Sequence, residues 1–87
     1  MSVRNVILPK LGLTMDEGTI VRWHKHVGDA VKAGEALFEV ETDKVTMDVE
    51  ATADGYLRKV IVDDGVAVPV ATVVAYMTDT LEEPVAP

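Results

Sequence analysis

The 87-residue sequence contains no cysteine and only one serine, Ser2. A disulfide framework and a cysteine-ligated zinc site are therefore excluded. The common serine and cysteine nucleophiles are excluded as well, because Ser2 lies beside the N-terminus, where it is not easily held against a base. These two absences argue against a hydrolase or a thiol enzyme.

Histidine is almost as scarce. His24 and His26 are two residues apart and would share one face of a strand, which offers two metal ligands but no evident third. We interpret them as polar residues on a solvated face opposite Trp23 and Val27. Adjacent acids point to opposite faces of a strand, and no glycine-rich phosphate-binding spacing is present. The sequence therefore predicts neither catalytic residues nor a metal site.

Positive charge is also in short supply, since eight Lys and Arg face fifteen Asp and Glu, giving a formal net charge of −7. A field of that sign repels phosphate backbones and anionic membrane surfaces, so we expect neither nucleic acid nor membrane as a partner. No run approaches the roughly 20 apolar residues of a membrane span, and no leader peptide is recognisable. We expect a soluble, cytoplasmic protein or a part of one.

Valine is the residue in abundance, with 16 copies beside eight threonines and three isoleucines. β-Branched residues favour strands, and apolar residues recur with a period close to two, without a sustained helical repeat. The sequence therefore predicts an all-β fold. Turn residues divide it into six main strands with shorter pieces between them: residues 3–8, 18–23, 36–41, 45–50, 55–61 and 73–77.

A shift of 37 residues superposes the sequence on itself. Gly18 then falls on Gly55 and Gly28 on Gly65, with similar apolar residues around them, which indicates a duplicated β unit. Neither unit can bury an apolar face alone, so we expect the two to pack face to face as a sandwich or flattened barrel. The predicted core, with Trp23 at its margin, is Val6, Leu8, Ile20, Val31, Leu37, Val40, Met47, Val49, Leu57, Val60, Val68, Val74 and Met77.

The segment 38–50 alternates as the two arms of a hairpin. The break in alternation between Glu41 and Val45 leaves Asp43 and Lys44 at the tip of a tight turn. Neither tip residue is glycine, so we expect a type I turn rather than a primed one, with the Asp43 carboxylate accepting from backbone amides ahead of it. Three residues of the second arm are expected to face inward: Val45, Met47 and Val49.

Lys44 is expected to be exposed among carboxylates, which stabilise its ammonium form. An amine nucleophile needs burial or cationic neighbours instead. A long side chain displayed on a rigid, protruding turn is better suited to be a substrate that another enzyme modifies. An ordinary exposed turn lysine is the alternative that the chemistry alone leaves open.

Eight stretches of this sequence carry a family resemblance when they are taken together: residues 9–18, 23–25, 28–29, 34–35, 41–45, 49–51, 54–55 and 68–70. They resemble the lipoyl domains of dihydrolipoyl acyltransferases in 2-oxo acid dehydrogenase complexes. The resemblance covers nearly all of residues 3–79, and one departure is Ala71, where the second half of the family usually has glycine. From Thr80 the composition changes to Pro, Ala and Glu, so we expect a lipoyl domain over residues 1–79 and the start of an interdomain linker over residues 80–87.

The resemblance implies that Lys44 carries lipoic acid in amide linkage, with Glu41, Thr42, Asp43 and Val45 forming the turn and the recognition surface around it. It also implies a flattened barrel of two four-stranded antiparallel sheets related by a pseudo-twofold, a barrel-sandwich hybrid. The lysine hairpin is then the symmetry mate of the region where the chain ends meet. We therefore expect the lipoylated tip and the linker at opposite ends of the domain.

The implied function is that of a non-catalytic swinging-arm carrier. In the family, a thiamine-diphosphate-dependent 2-oxo acid dehydrogenase reductively acylates the lipoyl group, the acyltransferase core passes the acyl group to coenzyme A, and an FAD-dependent dihydrolipoyl dehydrogenase reoxidises the dithiol. A lipoate-attaching enzyme installs the group. The sequence looks most like pyruvate- or acetoin-type members.

Recognition by the first enzyme is attributed in the family to the loop between the first two strands, whose apolar residues alternatively fold back onto their own sheet. The residues of this possible docking loop are Leu11, Leu13, Thr14, Met15, Asp16 and Glu17.

Three other interpretations are alternatives to the lipoyl domain. Biotin carrier domains share the hairpin lysine but flank it with methionine on both sides, whereas this sequence has Asp43 and Val45. The glycine-cleavage carrier protein also bears lipoate but is longer and has helical additions. A protein-binding β-module with an unmodified lysine is the third.

Overall fold

The computed structural model describes residues 3–12, 15–82 and 84–85, which form eight strands. The six predicted strands are all present, with ends shifted by at most one residue, and the expected shorter pieces are β3 and β7. The bounds are β1 Arg4–Ile7, β2 Glu17–Trp23, β3 Ala30–Val31, β4 Ala36–Glu41, β5 Thr46–Glu50, β6 Gly55–Val60, β7 Ala67–Pro69 and β8 Val73–Thr78.

The strands form two four-stranded sheets with the orders β1-β8-β6-β3 and β5-β4-β2-β7. Every strand pairing is antiparallel. The predicted all-β class and its two four-stranded sheets are confirmed, although in the described residues the sheets stay separate and do not close into a barrel. The described residues contain no helix long and apolar enough to cross a membrane.

The 37-residue repeat is the symmetry of this fold. Subtracting 37 from the residue numbers carries β6, β7 and β8 onto β2, β3 and β4. The run β8-β6-β3 in one sheet thus corresponds to the run β4-β2-β7 in the other. The hydrogen bonds between the halves repeat as well. Leu57 N donates to Asp29 O at 3.0 Å, and 37 residues away Ile20 N donates to Val66 O at 3.0 Å. Each half therefore completes the edge of the other.

Two kinds of glycine repeat at this spacing. Gly28 and Gly65 both have positive φ, 97° and 85°, in matching turns. Gly34, with φ 92°, matches Ala71, which at φ 74° is the one positive-φ residue other than glycine in the described part of the chain. The turn after β7 therefore keeps the left-handed conformation of the matching turn, although alanine stands in place of glycine.

Gly18 and Gly55 instead allow close packing. A Cβ at Gly18 would lie 2.7 Å from Val40 Cγ2, and one at Gly55 would lie 2.6 Å from the backbone oxygen of Thr78. The Asp54-Gly55 pair predicts a positive φ at Gly55, and this prediction is wrong, because Gly55 is not among the glycines with positive φ. Its role is to let β6 approach β8.

The core lies between the sheets. Most of the predicted core is buried, and Val6, Trp23, Val60 and Val68 are partly buried against it. The buried apolar residues are Leu8, Ile20, Val31, Leu37, Phe38, Val40, Val49, Ala51, Leu57, Val62, Val74, Ala75 and Met77. Leu37 and Phe38 are both buried because a β-bulge between Ala36 and Phe38 interrupts the alternation of β4.

Of the three apolar residues expected to face inward from the second hairpin arm, only one is buried, so the prediction of Met47 as a core residue is wrong. Val45 is 48% exposed and Met47 42% exposed, whereas Val49 is 8% exposed. β5 is the edge strand of its sheet, and only Val49 lies where β1 of the other sheet lines the same cavity. Toward the hairpin tip the inner face of β5 is left open.

β4 and β8, the symmetry mates, run in opposite directions across the sandwich. Leu37 near the start of β4 lines the same cavity as Met77 near the end of β8. The end of β4, where the lysine hairpin turns, therefore lies at the far end from the end of β8. Arg4 at the start of β1 pairs with Asp79 beyond β8, so β1 begins where β8 ends, away from the hairpin.

Candidate functional site

The hairpin between β4 and β5 has a four-residue tip, residues 42–45, because Glu41 and Thr46 form the last paired positions. Thr42 organises it. Thr42 N donates to Val45 O at 2.8 Å, and the Thr42 hydroxyl oxygen accepts from Lys44 N at 3.2 Å and from Val45 N at 3.1 Å. The same hydroxyl donates to Val45 O at 3.2 Å. The tip is thus held by its own hydrogen bonds.

These bonds correct one detail of the predicted turn. Asp43 was expected to accept from the backbone amides ahead of it, but that acceptor is Thr42, one residue earlier. Asp43 and Lys44 are not among the residues with positive φ, in line with the expectation of an unprimed turn. Threonine hydroxyls make such local hydrogen bonds. The Glu-Thr-Asp-Lys sequence therefore does contain the acceptor of the turn, but it is the threonine and not the aspartate.

Lys44 lies at the most protruding part of this tip. Both Lys44 and Asp43 are exposed, and in the described part of the chain the Lys44 ammonium group has no hydrogen-bond or ion-pair partner. The backbone of Lys44 is fixed through Thr42 while its side chain is free to extend. This arrangement presents a primary amine on a rigid base and does nothing to activate it as a nucleophile.

The loop between β1 and β2 lies beside the tip. Leu11 and Met15 are half-buried and pack against the core, and Leu11 N donates to Met15 Sδ at 3.2 Å. Asp16 and Glu17 are exposed. The other two predicted loop residues, Leu13 and Thr14, lie outside the described residues.

Two cavities of opposite character separate this loop from the hairpin. The first, the acidic cavity, has a volume of about 340 Å³ and is lined by Asp16, Glu17, Glu41 and Asp43 among others. The second, the apolar cavity, has a volume of about 160 Å³ and is lined by Leu11, Gly12, Met15, Thr42, Asp43, Lys44 and Val45. Predicted recognition residues therefore surround Lys44 on two sides, charged on one and mostly apolar on the other.

The structure also brings together a cluster of three polar side chains that the sequence did not reveal. A ligand atom from each of His24, Glu39 and Asp48 lies within 4.8 Å of the others, because these residues lie on three neighbouring strands or just beyond their ends. His24 Nε2 lies 2.9 Å from Asp48 Oδ1, and Glu39 accepts from Arg22 Nε at 3.1 Å. Two cross-strand pairs account for the group. His26 pairs within its own turn, so the two histidines do not converge.

Comparison with known proteins covers almost the whole chain. A family described as "Biotin-requiring enzyme" matches residues 4–77. The acetyltransferase component 5 of the chloroplastic pyruvate dehydrogenase complex of Arabidopsis thaliana is 42% identical over 81 residues, 93% of this chain and 17% of that protein. The succinyltransferase component of the 2-oxoglutarate dehydrogenase complex of Rickettsia typhi is 47% identical over 70 residues, 80% of this chain and 17% of that protein. The chain spans less than a fifth of these relatives.

A solved structure decides between the two kinds of domain in this family. The lipoyl domain of the 2-oxoglutarate dehydrogenase complex from Azotobacter vinelandii superposes with a TM-score of 0.71 at 33% identity, covering 87% of this chain and 96% of that domain. The chain belongs to the biotin/lipoyl family as a lipoyl domain. Urea carboxylase of Kluyveromyces lactis also superposes, with a TM-score of 0.74 over 90% of the lipoyl domain and 6% of that enzyme. At 24% identity this likeness shows the fold alone.

Proposed function

We propose that this lipoyl domain carries lipoic acid in amide linkage on Lys44. The observation that carries the proposal is the tip itself, where the Thr42 hydrogen bonds hold the backbone of Lys44 while its amine stays exposed and unpaired. An attached acyl group would meet no partner that it has to displace, so the residues present fit the group. Lipoic acid supplies a dithiolane that accepts an acyl group together with two electrons.

The role of the protein chain is to present Lys44 and to carry the lipoyl group attached to it. It offers no catalytic group of its own at the tip, and Thr42 and Glu41 position the lysine while Asp43 and Val45 flank it for recognition. The end of β8 lies at the far end of the fold from the hairpin, which supports the proposal that residues 80–87 begin a linker that leaves the tip unobstructed. A flexible tether then holds the arm near each active site at an effective concentration on the order of millimolar.

The partners that follow from this role belong to a 2-oxo acid dehydrogenase complex. They are a thiamine-diphosphate-dependent decarboxylating dehydrogenase, an acyltransferase core, an FAD-dependent dihydrolipoyl dehydrogenase and a lipoate-attaching enzyme. The loop residues Asp16 and Glu17, exposed beside the tip, are the part of the predicted docking loop best placed to meet the dehydrogenase. Leu11 and Met15 mainly support their own core.

The 2-oxo acid itself stays a prediction, with pyruvate or acetoin favoured by the residues of the first loop. The relatives include components of both pyruvate and 2-oxoglutarate complexes. They also include chloroplastic and mitochondrial proteins, so the cytoplasmic location is likewise carried forward as a prediction only.

The test of attachment is intact mass spectrometry after coexpression with a lipoate-attaching enzyme in lipoate-fed cells. We expect one lipoyl addition to the domain, none to Lys44→Arg, and an unchanged addition to Lys32→Arg, which alters another exposed turn lysine. A biotinyl addition or an unmodified chain would contradict the proposal. Reductive acylation of the lipoylated domain by a panel of 2-oxo acid decarboxylases would then identify the substrate.

A further inference from the structure

The apolar cavity begins at the base of the lysine that the proposed function modifies. Lys44 is one of its lining residues, and the opposite wall is formed by Leu11, Gly12 and Met15 of the first loop. Val45 forms its outer rim and is 48% exposed, although its side chain is apolar. Covering this valine with an apolar group would remove apolar surface from water, which is favourable.

The walls of this cavity are fixed in place. Leu11 and Met15 pack against the core from one side, and the bond from Leu11 N to Met15 Sδ holds the thioether at 3.2 Å. Thr42, whose hydroxyl organises the tip, forms part of the facing wall. Described residues on both sides, from the first loop and from the hairpin tip, therefore form the cavity.

Its size and polarity match the end of a lipoyl group better than the neighbouring acidic cavity does. A cavity of roughly 150 Å³ with apolar walls holds a benzene-sized ring, and the apolar cavity has about 160 Å³. The dithiolane is an uncharged five-membered ring with two polarisable sulfur atoms, and methionine sulfur is a soft, adaptable contact surface. The acidic cavity on the other side of the tip is lined by four carboxylates, which such a ring would have to desolvate, whereas Asp43 is the one carboxylate among the residues that line the apolar cavity.

We propose that the apolar cavity is a resting site for the dithiolane ring of the group carried on Lys44. This inference rests on the proposed function, because the occupant is the domain's own attached group. The lysine stem and the acyl chain are flexible and fold back onto the wall from which they start. Since the ring is tethered at the rim, its effective concentration at the cavity is high, so even a weak contact is populated. The arm then alternates between a docked and an extended state.

The experiment uses the oxidised, lipoylated domain, with attachment established first by intact mass. Methyl-labelled samples allow nuclear Overhauser contacts to be read between the ring protons and individual methyl groups. We expect contacts from the ring to the methyl groups of Met15, Leu11 and Val45, and chemical-shift changes there relative to the unmodified domain. The exposed methyl groups of Val27 and Ile61, which do not line the cavity, are the internal reference and should show neither.

A matched pair of variants tests the wall directly. Val45→Thr places a hydroxyl on the rim, and Val66→Thr makes the same change at a valine that is 43% exposed and lies outside the cavity. We expect loss of the contacts to Met15 in Val45→Thr and their retention in Val66→Thr. Both variants are checked by mass, so that a failure to attach the group is not mistaken for a loss of docking.

The outcomes separate the two proposals. A lipoyl addition without ring contacts at Met15, or with contacts equally strong at Val27 and Ile61, would overturn the resting site and leave the carrier role intact. Absence of the lipoyl addition would overturn both. Contacts that persist unchanged in Val45→Thr would also overturn the resting site, since its rim would then play no part.

Discussion

A single hydroxyl group organises the lysine tip. Thr42 Oγ1 accepts hydrogen bonds from the backbone N–H groups of Lys44 and Val45 and donates one to Val45 O. It therefore takes the place of a backbone carbonyl in closing the turn. The amine of Lys44 is useful to a modifying enzyme only if its backbone is held in one place. The presentation of Lys44 therefore depends on the hydroxyl of a neighbouring residue.

Replacing Thr42 with valine keeps the shape of the side chain and removes its hydrogen bonds. We expect Thr42→Val to lower the free energy of unfolding by about 1 kcal/mol, the usual net value of a hydrogen bond at a partly exposed position, and to slow lipoylation of Lys44. Urea denaturation and a time course of intact mass measure the two effects. Thr46→Val is the control, because Thr46 is exposed on β5 and makes no side-chain hydrogen bond within the described residues. Equal rates of lipoylation in the two variants would contradict this role.

Ala71 offers a stabilising change. It adopts φ 74° where its counterpart Gly34 adopts 92°, and a left-handed conformation costs a non-glycine residue roughly 1–2 kcal/mol. We expect Ala71→Gly to raise the free energy of unfolding by about 1 kcal/mol, part of the gain being offset by the entropy of glycine in the unfolded chain. Chemical denaturation measures it. Ala67→Gly, in strand β7, should instead be destabilising, and stabilisation by both would show that φ is not the cause.

Much of the residue-scale picture was predictable. The position of Lys44 at the tip of an unprimed turn followed from the break in alternation and the absence of glycine, and the structure agrees with it. The side chain that accepts a hydrogen bond from the Lys44 backbone could not be predicted. Thr42 and Asp43 are both capable acceptors, and only the geometry of the turn distinguishes them.

Strands depart from the sequence pattern where the register is interrupted. The bulge in β4 turns both Leu37 and Phe38 toward the core, which no period-two reading can predict. In β5 the pattern was regular, yet Met47 is exposed because the covering sheet ends before the hairpin does. Alternation tells which face a residue takes, and it cannot tell how far the opposite sheet extends.

The turn between β3 and β4 has a pH-dependent link. Glu35 Oε1 accepts from Lys32 N at 2.7 Å and lies 3.3 Å from Lys25 Nζ. The backbone hydrogen bond from Lys32, followed by the hydrogen bond from the Lys25 ammonium group, lowers the pKa of Glu35 below its ordinary value. A lowered folded-state pKa means that ionised Glu35 stabilises the fold above its unfolded pKa, and that this contribution is lost as the pH falls through the folded pKa.

Glu35→Gln should therefore reduce stability at neutral pH and lose its effect in acid. We expect the difference in unfolding free energy between the variant and the parent domain to shrink as the pH falls through the folded-state pKa of Glu35, and to shrink also with added salt, since the pair is exposed to solvent. Denaturation across the acidic range measures it. Glu50→Gln, an exposed change of the same charge, is the comparison, and a difference for Glu35→Gln that grows toward acid would contradict the assignment.

At the scale of the whole molecule, the duplication determines where the lysine tip lies relative to the rest of the fold. Each half supplies β2, β3 and β4 or their mates, and each hairpin position of one half corresponds to a position in the other. One such position holds Lys44, and its counterpart lies just beyond β8, where Arg4 pairs with Asp79. The family resemblance and the 37-residue repeat together predicted this separation, because a pseudo-twofold sandwich carries equivalent ends to opposite sides.

That separation predicts that modification and stability are independent. Lys44 is exposed and makes no side-chain contact that the core needs, so we expect Lys44→Ala to change the free energy of unfolding by less than about 0.5 kcal/mol while abolishing the lipoyl addition. Leu57→Ala, at a position fully buried between the sheets, should cost about 2–5 kcal/mol. Urea denaturation and intact mass on the same samples give both readings. A large loss of stability in Lys44→Ala would mean that the tip belongs to the folded core, and a domain whose arm is part of its core could not release that arm to visit several active sites.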